Sequence, residues 1–237
     1  MKKVTNGSEG MSNHEEEVET KEIQKHPRNK NKKRVRSAAL VLLGIVIGII
    51  GYMMYMNLEP FTDEAKVAGI PDDYIKVVKQ SDDSLAPLFI ASAKYDYNTS
   101  GKTISIYVDY YEKEVQKKHD LVLNVDQMDE GPLAGTIYSG LTSTEELGDF
   151  QDLLVTINSN KARYTGNYSF EEVNLNTENG LLFTENAFED GKVTKGKKYV
   201  MQAWSTGQKI YNNEKDLFSN KFLKESPQTV LFYFVIE

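Results

Sequence analysis

The sequence contains no cysteine, and this absence removes several classes of protein at once. Thiol nucleophiles, disulfides, iron–sulfur clusters and cysteine-based zinc sites all require this residue. A bacterial lipoprotein is excluded as well, because its lipid is carried on a cysteine. Animal extracellular domains of this size usually contain disulfides. A cysteine-free chain is therefore more typical of a bacterial protein, and we expect a Gram-positive one.

Histidine is also scarce, with three in 237 residues, and only His119 follows the apolar segment described below. A zinc site needs several converging His or Cys ligands, and a Ser–His–Asp site needs a serine on a shaped turn. Neither G-x-S-x-G, a P-loop nor G-x-G-x-x-G occurs. We therefore predict no catalytic, cofactor-binding or metal-binding residue, and we interpret His119 as exposed. The acidic segment 126–131 has oxygen ligands that suit calcium, but it does not match the EF-hand pattern.

The charges are distributed unevenly along the chain. Residues 1–37 contain ten basic and six acidic residues, whereas residues 38–237 contain eighteen basic and twenty-nine acidic residues. Nucleic-acid binding needs a basic surface for the phosphates, so the acidic second part predicts no nucleic-acid partner. Its charge instead favours cationic partners, or solubility alone.

One long apolar segment, residues 38–56, reads AALVLLGIVIGIIGYMMYM and contains no charged residue. A helix of about twenty apolar residues crosses the hydrocarbon core of a bilayer. Apolarity on every face argues against a buried helix of a soluble protein. We therefore predict one transmembrane helix that contacts the lipid bilayer. The residues expected to anchor it are Ala38, Leu42, Gly44, Gly48, Tyr52 and Tyr55.

Basic residues directly precede the apolar segment, and acidic residues follow it. The positive-inside rule therefore predicts a cytoplasmic N-terminus and an extracellular C-terminal domain at the cell membrane. The residues that set this topology are Lys32, Lys33, Arg34 and Arg36. A cleaved signal peptide is the alternative. Its apolar region would be shorter, about 7–15 residues, with a small-x-small cleavage site close behind it, and no such site is evident.

Gly44 and Gly48 form a G-x-x-x-G pair, and Gly51 follows about one turn later. This spacing allows two membrane helices to approach each other closely, which favours a helix-mediated homodimer. The alternative interpretation is that glycine is simply frequent in membrane helices.

The segments on either side of the helix are polar. Residues 1–37 lack an apolar face to bury, so we expect a disordered basic cytoplasmic tail. Residues 57–85 are acidic, poor in apolar residues and interrupted by proline, which predicts a juxtamembrane stalk. Within this stalk, residues 71–80 favour a short helix, because proline is well placed in a first helical turn.

From residue 86 to residue 237 the pattern is typical of a β-rich outer domain. Apolar and polar residues alternate over residues 103–111, which predicts a strand buried on one face. The run at residues 88–97 has a similar character, and turn-forming residues at 98–101 separate the two. We predict that these two runs form a β-hairpin.

Several further strands are expected in the outer domain. They lie at residues 120–126, 152–158, 162–170, 197–205 and 229–236. Leu121, Leu123 and Val125 are expected to share one face, and the last strand, apolar on both faces, is expected to be central. Recurrent turn signals favour an antiparallel sandwich with an immunoglobulin-like arrangement. Short helices are expected after Thr142 and at residues 213–226.

The layout resembles that of small Gram-positive surface proteins, and three classes of function fit it. The first is a membrane-anchored, non-catalytic binding or sensing module that recognises an envelope component or a membrane protein. The second is a structural subunit of an envelope machine for secretion, division or DNA transfer, supported only by the glycine-spaced helix. The third is an extracellular hydrolase with paired carboxylates, which the sequence gives no way to select. We expect the first, because it needs no catalytic residues and no cofactor.

Overall fold

The computed structural model describes residues 30–126, 132–143, 150–159, 162–170, 173, 175 and 181–237. The chain forms two compact units, Met1–Val46 and Ile47–Glu237, and each is described by itself. Three expectations lie outside the described residues: the tail at residues 1–29, most of the calcium-type segment at 126–131, and the helix after Thr142.

One long helix, α1 (Lys30–Tyr55), contains the apolar segment. Its stretch Val35–Tyr55 is the one described helix that is long and apolar enough to cross a membrane. The predicted apolar helix is therefore confirmed, although it starts at Lys30 rather than at Ala38. Lysine, arginine and alanine favour helix, and neither glycine nor proline interrupts residues 30–37. The helix consequently includes the end of the segment that was predicted to be disordered.

The described part of the second unit forms two antiparallel sheets. The strands are β1 (Tyr74–Val78), β2 (Ala91–Thr99), β3 (Thr103–Glu112), β4 (Val115–Asp126), β5 (Leu133–Ser143), β6 (Phe150–Ser159), β7 (Arg163–Ser169), β8 (Leu182–Glu185), β9 (Gly191–Lys192), β10 (Lys198–Ser205) and β11 (Gln228–Ile236). One sheet has the order β7-β6-β5-β2-β1-β9, and the other has the order β4-β3-β11-β10-β8. β11 is central, as its apolar character on both faces predicted.

One hydrophobic core joins the two sheets. Tyr95 of β2 is fully buried and stacks on Phe188, with ring centroids 4.9 Å apart. The same tyrosine approaches Phe234 of β11 at 5.6 Å. Aromatic pairs at these distances add to the stabilisation that burial alone provides. The prediction of a mainly β domain with one N-terminal apolar helix is confirmed.

The predicted hairpin between residues 88–97 and 103–111 is wrong. β2 and β3 lie in different sheets, with β2 beside β5 and β3 beside β11. The connection crosses from one sheet to the other at Gly101, where an added Cβ would lie 2.5 Å from Ile236 Cγ2. Turn-forming residues indicate where a chain reverses. They do not determine whether it returns in the same sheet or in the facing one.

Residues 74–78 form strand β1, whereas the sequence predicted a helix there. The run Tyr-Ile-Lys-Val-Val is rich in β-branched residues, which fit a strand better than a helix. β1 pairs with β2, and Ile75 is buried in the core. The sheet therefore begins within the segment that was assigned to the stalk, residues 57–85.

Two buried asparagines tie the chain between α1 and β1 to strand β2. Asn57 Nδ2 donates to the Ile70 carbonyl oxygen (2.7 Å) and to Asp72 Oδ1 (3.2 Å). Asn98 of β2 donates to the carbonyl oxygens of Ile70 and Val67 and accepts from the Val67 N–H. These amides satisfy backbone groups that a loop would otherwise leave unpaired.

Two short helices, α2 (Glu214–Leu217) and α3 (Asn220–Glu225), cover the outer face of the five-stranded sheet. They confirm the helical pattern predicted at residues 213–226. Leu217 and Phe222 belong to a second buried cluster with Leu231 and Tyr233 of β11. β3 is consequently buried on both faces, whereas the sequence predicted burial on one.

An irregularity in β4 changes the face of one predicted core residue. Ile106 pairs with Leu123 and Tyr107 pairs with Leu121, so Val122 is an extra residue on this side of the ladder. Such a bulge interrupts the regular alternation of side chains. Leu121 is therefore 56% exposed instead of sharing the face of Leu123.

Candidate functional site

A cleft opens at one end of the sandwich, where β1 and β9 of one sheet face the start of β10 in the other. Its volume is about 580 Å³, and its side walls come from residues 186–190 and from α2. Clefts of roughly 300–1,000 Å³ that combine apolar lining with a few polar groups are the usual sites for small ligands. This cleft is the candidate binding site of the domain.

Backbone hydrogen bonds fix the walls of the cleft. The N–H groups of Asn186 and Ala187 donate to the carbonyl oxygens of Met201 and Val200 on β10. The Glu214 N–H donates to the Ala187 carbonyl oxygen (2.9 Å). Asn186 has a φ of 53°, a left-handed conformation that asparagine tolerates better than most residues. The segment before β9 is thus held between β10 and α2.

The floor of the cleft is apolar. Ile75, Phe188 and Tyr199 line it, and all three are buried. The rings of Phe188 and Tyr199 meet edge to face with centroids 5.0 Å apart, and Tyr199 stacks on Phe234 at 5.1 Å. Because these rings belong to the main core, the floor is a fixed, close-packed surface on which an apolar group can rest.

The rim of the cleft is charged. The contributing residues are Glu189, Asp190, Glu214, Asp216, Lys192, Lys197 and Lys215. Lys197 Nζ lies 2.6 Å from Glu214 Oε1 and 4.7 Å from the centroid of the Tyr199 ring. An ion pair and a cation–π contact therefore hold the Lys197 ammonium at the mouth of the cleft.

Two acceptor atoms in the cleft wall are buried and have no hydrogen-bond partner within the part of the chain that the structure describes. They are Glu214 Oε2 and Asn186 Oδ1. Buried polar atoms are almost always paired, and an unpaired one costs about 1–3 kcal/mol. Because both atoms are acceptors in one concave site, the cleft is suited to a ligand that donates hydrogen bonds.

A second polar cluster surrounds Asp109 of β3, on the outer face of the five-stranded sheet. Its buried carboxylate lies 2.6 Å from His119 Nδ1, and 3.2 Å from both Lys198 Nζ and the Tyr111 hydroxyl. The Tyr233 hydroxyl also hydrogen-bonds this carboxylate. Burial and the Asp109 charge raise the pKa of Tyr111 and the pKa of Tyr233. Both phenols therefore remain protonated donors to Asp109.

His119 has 53% of its side chain exposed, which confirms the expectation of an exposed histidine. The sequence analysis missed its partner, Asp109. A signal was present, since Asp109 is an acidic residue in the middle of a strand of apolar and aromatic residues. Neighbouring side chains hydrogen-bond both oxygens of the carboxylate. We therefore assign the cluster a structural role.

The residues predicted to anchor the chain in a bilayer all lie on α1. They are Ala38, Leu42, Gly44, Gly48, Tyr52 and Tyr55, and all six are exposed. At Gly44 and Gly48 an added Cβ would meet nothing within 4 Å. The predicted topology-setting residues Lys32, Lys33, Arg34 and Arg36 lie near the start of the same helix.

The residues that distinguish the cleft were not found in the sequence. The turn signal at Asp190–Gly191 is visible there, but nothing local connects it with Glu214 or with Asn186. As for metal sites, no three His, Asp or Glu side chains among the described residues are grouped so that they hold a metal ion.

Comparison with known proteins identifies no relative of this chain. No protein-family model matches it, and neither the curated proteins nor the solved structures give a match. A functional conclusion therefore depends on the geometry of the cleft and on the apolar helix.

Proposed function

We propose that this chain is a membrane-anchored, non-catalytic binding module whose outer domain recognises a component of a Gram-positive bacterial envelope through the cleft. The observation that carries the proposal is an apolar floor combined with the unpaired acceptors of Glu214 and Asn186 in one concave site. Sites for small ligands usually have this composition. A sensing role for the same cleft requires a cytoplasmic partner for the tail.

The anchor in this proposal is α1, which crosses the cell membrane once, with the tail in the cytoplasm and the β domain outside the cell. The length and apolarity of Val35–Tyr55 support it. Basic residues before the apolar segment and acidic residues after it favour this orientation by the positive-inside rule. Gly44 and Gly48 support a homodimer through α1, since small residues allow close helix approach.

We keep the immunoglobulin-like arrangement as a prediction about strand order. Immunoglobulin constant-type domains place strands ABED against strands CFG, about seven in all. In this domain, six described strands form one sheet and five form the other. An experimental structure compared strand by strand with such domains decides this point.

The absence of native cysteine makes the proposed orientation directly testable. Lys117→Cys on β4 and Ser12→Cys in the tail each introduce the only thiol of the chain. On intact cells, a membrane-impermeant maleimide is expected to label Lys117→Cys, and to label Ser12→Cys only after permeabilisation. Labelling of Ser12→Cys on intact cells, or recovery of a chain shortened by signal cleavage, contradicts the anchor.

Gly191 offers a way to fill the cleft while keeping the fold. It lines the cleft, and an added Cβ would meet nothing closer than the Glu189 carbonyl oxygen at 3.9 Å. Gly191→Phe is expected to block the cleft, whereas Gly191→Ala leaves it open. We expect a fragment screen by ligand-observed NMR, on the full-length protein in nanodiscs, to yield ligands that bind the parent and the alanine variant only.

Fluorescence of Trp204 controls for folding in this experiment. Trp204 is the only tryptophan of the chain, is buried and stacks on Phe183, so its emission reports unfolding of the domain. Lost ligand binding with an unchanged unfolding midpoint supports the cleft as the recognition site. Ligands that bind a folded Gly191→Phe variant as well as the parent contradict the proposal.

A further inference from the structure

We propose that the cleft selects a primary ammonium group that is attached to an apolar or aromatic portion. This inference rests on the proposed function, because it names the ligand class of the same cleft. Three features carry it: the unpaired acceptors in the wall, the negative charge that they include, and the aromatic floor.

The unpaired atoms in the wall select for a hydrogen-bond donor. Glu214 Oε2 and Asn186 Oδ1 both accept hydrogen bonds, and neither donates. A carboxylate, phosphate or carbonyl group placed against either oxygen would meet repulsion. A hydroxyl group donates one hydrogen bond, whereas a primary ammonium group donates three. An ammonium group therefore serves either acceptor and retains donors for water or for the second one.

The Glu214 carboxylate makes the wall selective for positive charge. Its Oε1 atom is paired with Lys197 Nζ at 2.6 Å, which leaves Oε2 for a second donor. Hydrogen bonds between an ammonium and a carboxylate are charge-assisted and stronger than neutral ones. The rim has four carboxylates and three lysines, and residues 38–237 are strongly acidic. The surrounding field therefore favours the approach of a cation.

The aromatic floor complements the body of such a ligand. Lys197 Nζ already lies 4.7 Å from the centroid of the Tyr199 ring, a distance typical of cation–π contacts. Phe188 and Ile75 continue the apolar floor beside this ring. A ligand with an ammonium head and a flat apolar body therefore matches the wall and the floor together.

A divalent metal ion is the competing class of cation, and the carboxylates of the rim do not suit it. Calcium takes about six to eight oxygen ligands, whereas the described residues contain no group of three His, Asp or Glu that holds a metal. Asp190 Oδ1 accepts from the Val77 N–H at 2.7 Å, and Asp216 Oδ2 accepts from Asn213 Nδ2. These two carboxylates are therefore engaged within the protein.

The test compares three probes that share one ring: 2-phenylethylammonium, 2-phenylethanol and phenylacetate. Their binding to the full-length protein in nanodiscs of zwitterionic lipid is followed by saturation-transfer NMR, with empty nanodiscs as the reference. We expect the ammonium probe to bind about tenfold more tightly than the alcohol, because its hydrogen bond to Glu214 is charge-assisted. Phenylacetate is expected to bind most weakly.

Two matched substitutions locate the selectivity. Glu214→Gln keeps the size of the side chain and removes its charge, so the ammonium probe is expected to lose about tenfold in affinity while the alcohol changes little. Glu189→Gln is the control, because Glu189 is an exposed carboxylate on the same rim. Asn186→Gly preserves the left-handed backbone and removes one acceptor, with an expected loss of about threefold.

The outcomes separate this inference from the proposed function. Ammonium selectivity lost in Glu214→Gln but kept in Glu189→Gln, with both variants folded by Trp204 fluorescence, supports the inference. Equal binding of the three probes, a preference for phenylacetate, or equal effects of the two glutamine variants overturns it and leaves the cleft as a binding site. Failure of all three probes overturns it too, and the proposed function fails with it only if Gly191→Phe blocks no fragment.

Discussion

Asp109→Asn removes the buried charge of the outer-face cluster, and its cost follows from the contacts. The carboxylate accepts hydrogen bonds from His119, Lys198 and two tyrosine hydroxyls. A hydrogen bond to a charged group contributes about 1.5–3 kcal/mol net. The side chains of Lys198 and His119 are 42% and 53% exposed, so water replaces the lost carboxylate. The full penalty for breaking a buried ion pair, about 3–5 kcal/mol, does not apply. We expect a loss of about 2 kcal/mol in the free energy of unfolding.

Glu112→Gln is the matched control in the same strand. Glu112 Oε2 lies 3.3 Å from Lys117 Nζ, and both side chains are about half exposed, so this pair contributes less than about 1 kcal/mol. Denaturant unfolding of the full-length protein in detergent, followed by Trp204 fluorescence, gives both free energies. In a thermal scan, about 2 kcal/mol corresponds to a midpoint shift of roughly 4–8 °C for a domain of this size.

A double-mutant cycle with Lys198→Met isolates the ion pair from the other contacts of Asp109. We expect the two substitutions together to cost less than the sum of their separate costs. Equal costs for Asp109→Asn and Glu112→Gln, or strict additivity with Lys198→Met, would refute the reasoning. Either result means that the buried carboxylate gains no stability from its cationic partners.

Gly135→Ala is expected to cost roughly 3 kcal/mol or more in thermal unfolding, because φ is 154° and an added Cβ would lie 1.9 Å from the Asn158 carbonyl oxygen. A variant as stable as the parent contradicts this. Asn57→Gly loses the hydrogen bond to Ile70 and is expected to cost about 1 kcal/mol. Asn57→Ala adds about 1 kcal/mol of strain at a φ of 49°, and equal costs of the two variants in denaturant unfolding exclude that strain. Burial raises the pKa of the Glu185 carboxyl, so the folded state binds this proton more tightly than the unfolded state. Its stabilising contribution at low pH is lost as pH rises through the raised pKa. Glu185→Gln is therefore expected to gain stability relative to the parent between about pH 4 and pH 7. A difference independent of pH contradicts this.

Local patterns were sufficient where one rule decides the environment of a residue. An uncharged run as long as residues 38–56 allows little besides an apolar helix. The apolar faces of residues 229–236 require cover on both sides, which identified β11 as central. Pairing is not a local property, and the hairpin between residues 88–97 and 103–111 failed for this reason. Each run needed a core on one face, and facing each other across the sandwich satisfies that need as well as lying side by side does.

The cleft and the Asp109 cluster were beyond sequence reasoning for a related reason. Asn186 and Glu214 meet only because β10 and α2 hold the segment before β9 between them. Asp109 occupies an ordinary polar position in an alternating strand. The packing of α2 and α3 on the outer face is what turns that position into an interior one. Neither arrangement leaves a mark in the spacing of the residues involved.

The central place of β11 also governs the order in which the domain is made. β11 inserts between β3 and β10, and its ladder with β3 pairs Ile104 with Ile236. The sheet therefore cannot close until residues 228–236 have been synthesised and, in the proposed orientation, exported. Until then β3 and β10 present open edges to the same gap, and open edges are sites of misassembly. Such long-range pairing also folds slowly. The partly exported chain thus depends on extracytoplasmic chaperones or on rapid translocation, which makes the rate of export a determinant of folding yield.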